Sequence, residues 1–70
     1  MSERFARAVN IGVPALVRLR AEAVLERNAA GAIPLTAHER EEVERIAVAP
    51  QRGDQAFLHT LEERDARRAP

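Results

Sequence analysis

Apolar residues along this 70-residue chain recur at helical rather than strand spacing. The longest such stretch, Pro14 to Gly31 (PALVRLRAEAVLERNAAG), is also the most apolar. At the angular step of an α-helix, Leu16, Val17, Leu19, Ala21, Ala23, Val24 and Leu25 sweep more than half of its circumference, a wider band than an ordinary surface helix carries. Such a helix calls for cover on two sides. Pro14 suits its first turn, where a missing N–H is no loss, and Gly31 stands where the left-handed residue after a helix C-terminus belongs.

Shorter segments flank it. Ser2 is placed to cap a first helix with Phe5, Ala8, Val9 and Gly12 at i, i+3, i+4 and i+7, which Gly12 and Pro14 should stop near Ile11. Ala32-Ile33-Pro34-Leu35 reads as an extended connector. Thr36 and Glu39 then have capping-box spacing, predicting a helix from about Ala37 to just before Pro50 with the stripe Val43, Ile46, Ala47. Gln51-Arg52-Gly53-Asp54 reads as a turn with Asp54 as N-cap of a last helix, Gln55 to about Arg67. Phe57, Leu58 and Leu61 give that helix an apolar face in its first two turns only, and residues 66–70 are expected to fray.

The expected architecture is an all-α, compact three- to four-helix bundle, residues 1–70 forming one small domain with the second helix central. Its expected core is Phe5, Val9, Leu16, Val17, Leu19, Val24, Ile33, Leu35, Val43, Ile46, Phe57, Leu58 and Leu61. Because the companions offer only narrow stripes, part of the central helix should stay uncovered, and an uncovered apolar patch marks an interface.

Length sharpens that expectation. A domain this small buries only about 60% of its unfolded surface. With no cysteine to supply disulfides, helix packing or association must provide the rest. Charge changes little: eleven basic and eleven acidic residues balance, so no net field draws the chain toward nucleic acid or an anionic membrane. Every basic side chain is arginine, in keeping with the Ala, Arg and Glu bias of GC-rich, bacterial-like coding. Arg4 and Arg7 ahead of a short apolar run imitate a signal peptide, but Asn10 and Pro14 interrupt the run. Arg18 and Arg20 also occupy the would-be cleavage region. A cytoplasmic location without a membrane partner is expected.

Candidate chemistry is sparse. Cys, Lys and Tyr are absent, and Ser2, Thr36 and Thr60 are the only hydroxyls, two of them better used as caps. No catalytic residue, no cofactor and no self-contained enzyme is expected. His38 with Glu42 and His59 with Glu63 are i, i+4 pairs that could together offer two imidazoles and two carboxylates to a metal. His38, though, falls in a first helical turn, and such pairs recur by chance in a Glu-rich chain, so no metal is expected. Arg52-Gly53-Asp54 is accounted for by a turn and a cap. Leu35-Thr36 and Glu39, with Gly53-Asp54 and Leu58, look like parts of the small helical domain that accompanies extradiol ring-cleaving dioxygenases. The two halves stand several residues further apart here than in that pattern, and no membership follows.

What remains is a surface. Arg20 and Arg27 are seven residues apart, so they share a helix face with Leu16 and Ala23. They either meet a phosphate, a carboxylate or an acidic partner, or fold back onto Glu41, Glu44 or Glu62. The expected function is a small protein–protein interaction module, a regulator, inhibitor or accessory subunit, using Leu16, Arg20, Ala23 and Arg27 against a protein partner or a second copy in a homodimer. One alternative is a helix-turn-helix-like DNA-binding transcriptional regulator reading a groove with Arg52, Gln55 and His59. Pro50, the long turn, and Glu62, Glu63 and Asp65 count against it. A second alternative is a small accessory subunit of a larger enzyme.

Overall fold

A computed structural model describes residues 12–68, with side chains as far as Asp65. The expected first helix, with Phe5 and Val9, lies outside the described residues. Within them the chain is all-helical: α1 (Val13–Ala29), α2 (Ala37–Val48) and α3 (Asp54–Arg68). The expected fraying of residues 66–70 falls beyond the described side chains, while the α3 backbone is helical as far as Arg68.

Each boundary has a local cause. Pro14 sits in the first turn of α1. At the other end Gly31 adopts φ +83°, its N–H reaches the Asn28 carbonyl at 3.0 Å and the Ala32 N–H reaches that of Arg27 at 2.8 Å. These two bonds form a Schellman motif, which satisfies carbonyls that the last turn would otherwise orphan. The Asn28 side chain donates to the Ile33 carbonyl at 2.8 Å and fixes the exit path, so that Ile33 turns back into the core. Thr36 and Glu39 form the expected capping box: the Glu39 N–H donates to Thr36 Oγ1, and the Thr36 N–H to Glu39 Oε1, both at 3.0 Å. Asp54 departs from expectation. It is the first residue of α3 rather than a cap before it, and its carboxylate accepts the Gln51 N–H at 2.6 Å and the Arg45 guanidinium.

α1 packs against both other helices. The core consists of Val17, Ala21 and Val24 from α1, Ile33 from the connector, Val43 and Ile46 from α2, and Leu58 and Leu61 from α3. Leu25, Leu35, Ala47 and Phe57 are partly buried around them. On α1 the buried positions run i, i+4, i+7, a single narrow stripe of small side chains that lets the neighbouring backbones approach closely. Leu16 and Leu19, expected in the core, are each 61% exposed, whereas Ala21 is fully buried. The reason is angular. Leu16 lies about 100° and Leu19 about 160° around the helix from Val17, and α2 and α3 cover only the Val17 side.

Candidate interaction surface

α3 reaches α1 and α2 with few apolar side chains, and its seating is completed by arginine–carboxylate bridges on both flanks. On the α1 side, Arg20 forms a two-pronged pair with Glu62 at 3.0 and 2.7 Å, and Arg27 Nε bonds the Asp65 carboxylate. On the α2 side, Arg64 forks onto Glu39 at 2.8 and 2.7 Å while also donating to the Pro34 carbonyl at 2.9 Å. Arg45 holds Asp54 at 2.9 and 3.3 Å, with Glu42 as a second acceptor. Residue numbers rise together in the α1–α3 bridges and in opposite senses in the α2–α3 bridges. The helices therefore run up, down, up.

These bridges set the charge states. Hydrogen bonds from Arg64, and then the Thr36 N–H, lower the Glu39 carboxyl from 4.5 to about 2. Arg45 holds Asp54 below the ordinary carboxylate range, outweighing its burial, and Arg20 does the same for Glu62. All three are ionised at neutral pH, so each guanidinium faces a full opposite charge. Among the described residues no buried side-chain nitrogen or oxygen lacks a partner.

The four expected interface residues therefore divide. Leu16 and Ala23 are exposed on α1. Arg20 and Arg27 lie on the adjoining flank and are engaged by α3. Of the acids expected to receive them, Glu62 does, whereas Glu41 and Glu44 stay exposed on α2; Asp65 was not among the expected acceptors. Among the described residues, the arc of α1 that α2 and α3 leave uncovered runs from Leu16 and Ala23 through Leu19 to Glu26, the partly exposed Ala15 and Glu22, with Leu19 near its centre. Leu19 thus belongs to the surface. Heptad-like spacing of Leu16, Leu19 and Ala23 is present in the sequence, but so is that of Val17, Ala21 and Val24, and periodicity alone ranks neither above the other.

The other candidate residues are dispersed. Arg52, Gln55 and His59 are all exposed. Arg52 and Gln55 line an open cavity of about 500 Å³ between the α2–α3 turn and the start of α1, with Val13, Pro14, Val17 and Pro50. His59 Nε2 stands 3.8 Å from the Glu63 carboxylate, one turn further along α3. His38 is exposed on α2. Among the described residues no three His, Asp or Glu side chains gather in a metal-binding group, and no helix is long and apolar enough to cross a membrane. No protein-family model, curated protein or solved structure matches the chain.

Proposed function

We propose that this chain is a small protein–protein interaction module whose docking face is the uncovered side of α1, serving as a regulator, inhibitor or accessory subunit rather than as a catalyst. The observation that carries this reading is the exposure of Leu16 and Leu19 on a helix whose opposite side is fully packed. Burying a leucine is worth about 1.5–3 kcal/mol, so two of them side by side supply a substantial part of the free energy of a modest interface. Arg20 and Arg27 border the face. Their bridges to Glu62 and Asp65 seat α3 beside it.

The test is the double variant Leu16→Ser, Leu19→Ser. Both side chains are exposed, so the variant should keep the helicity and cooperative unfolding of its parent and lose only the stability that association itself contributes. It should lose association, whether with itself by sedimentation or with proteins retained from a native lysate. A variant that keeps every association of the parent refutes the reading.

A further inference from the structure

The uncovered face of α1 carries a charge pattern that is complementary to itself. Arg18 and Glu22 are both exposed and lie on the flank opposite Arg20 and Arg27. With Ala15, Leu19 and Ala47 they line a shallow groove of about 530 Å³ between α1 and α2. Neither is bridged to another described residue, whereas Arg20, Arg27, Arg45 and Arg64 all are. Basic charge thus stands on the N-terminal side of Leu19, and acidic charge on its C-terminal side.

We propose that this face pairs with the same face of a second copy, α1 antiparallel to α1 across a two-fold axis at Leu19. The proposal rests on the reading of this surface as a docking face and names its occupant. A two-fold axis perpendicular to two antiparallel helices brings each flank against the same flank of the other copy. One flank then sets Arg18 within reach of Glu22 of the second copy, twice over by symmetry, and Glu22, nearer the centre of the face, stands closer to Arg18 than the two Arg18 side chains stand to each other. The other flank sets Leu16 over Ala23 of the second copy, large against small, while Leu19 meets its own counterpart on the axis.

That second flank would also bring the Arg20 side chains toward each other, which would count against the arrangement if they were free. They are not free: each is held by both oxygens of Glu62, so the charges that meet are neutralised in pairs. A parallel pairing lacks this complementarity. It would set Arg18 and Glu22 against the flank of Arg20 and Arg27 of the second copy, whose charges Glu62 and Asp65 already meet.

Sedimentation equilibrium of the full chain, with Arg18→Glu, Glu22→Arg and the double exchange Arg18→Glu, Glu22→Arg, tests the proposal. Circular dichroism serves as the control for folding. The parent should dimerise. Each single reversal replaces two attractions by two repulsions and should weaken the dimer on the order of tenfold, and the double exchange should restore it. An equimolar mixture of the two single variants should form heterodimers more readily than either forms homodimers. A parent that stays monomeric at hundreds of micromolar overturns the proposal. So does a dimer indifferent to both reversals, as parallel pairing requires, or one strengthened by Arg18→Glu. If a monomeric parent still captures another protein and Leu16→Ser, Leu19→Ser abolishes that capture, the docking face stands and only its occupant is wrong. If the double serine variant changes no association at all, the docking face itself falls.

Discussion

Replacing Glu39 by glutamine isolates how much of this bundle depends on charge. The side chain does two jobs: it accepts the Thr36 N–H at the start of α2, and it receives the Arg64 fork that ties down the far end of α3. Glutamine preserves length and one acceptor oxygen, so the cap bond can survive, while the charge and the second arm of the fork are lost. The carboxyl lies at about 2 in the fold against an ordinary 4.5. That difference, fully expressed, corresponds to about 3 kcal/mol. Glu39 and Arg64 keep 20% and 32% of their side-chain surface in water, so screening reduces the net effect to about 1–2 kcal/mol. For a domain that is marginal by its size, this is a large share of the total.

The sign follows from the direction of the shift. A carboxyl whose folded value is lowered stabilises the fold fully above its unfolded value. That contribution fades as pH falls from about 4.5 toward about 2, where the folded form also takes up its proton. Urea unfolding followed by circular dichroism should therefore show Glu39→Gln less stable than the parent by about 1–2 kcal/mol at pH 7. The gap should close through the same acid window, because the variant has no carboxyl there to titrate. A second pair of variants, Arg64→Met alone and with Glu39→Gln, should show a non-additive coupling. A Glu39→Gln variant within about 0.3 kcal/mol of the parent at pH 7, or a parallel loss of stability in the two proteins as the pH falls, would show that the Glu39 charge does not hold the bundle.

Three further outcomes follow from the geometry. Ala21→Leu should destabilise by about 1–3 kcal/mol in chemical denaturation because the position has no room. Ala23→Leu, two residues on and exposed, should stay within about 0.5 kcal/mol of the parent when both are compared as monomers at high dilution, and a reversed order would mean that the buried stripe of α1 is misassigned. Gly31→Ala should cost about 1 kcal/mol from its positive φ alone, since no atom stands within 4 Å of the added methyl, and Gly31→Asn should cost less. Leu61→Ala, which removes a fully buried side chain from the narrow apolar face of α3, should cost about 2–5 kcal/mol and lower the melting temperature steeply.

Local chemistry determined the elements of this chain. Pro14 and Gly31 bound α1, the Thr36–Glu39 pair opens α2, and the Arg52–Gly53 turn separates α2 from α3, each through bonds spanning only a few residues. Those signals lie in neighbouring side chains and are legible without any fold. The apolar stripes of α2 and α3 were legible for a related reason: each helix has one, and one stripe can face only one way.

α1 was different. Its apolar residues cover so much of the circumference that Leu16 and Leu19 satisfy a helical core pattern as well as Val17, Ala21 and Val24 do. The tertiary structure decided between them, because α2 and α3 together cover one side and the small side chains on that side permit the closer approach. It likewise decided the fate of the arginines. Arg20 and Glu62 are 42 residues apart and Arg27 and Asp65 are 38 apart, and long flexible side chains in a charge-balanced chain have many candidate partners until the helices are set side by side. Which half of a wide apolar band becomes core, and which half is left for a partner, depends on the placement of the other helices.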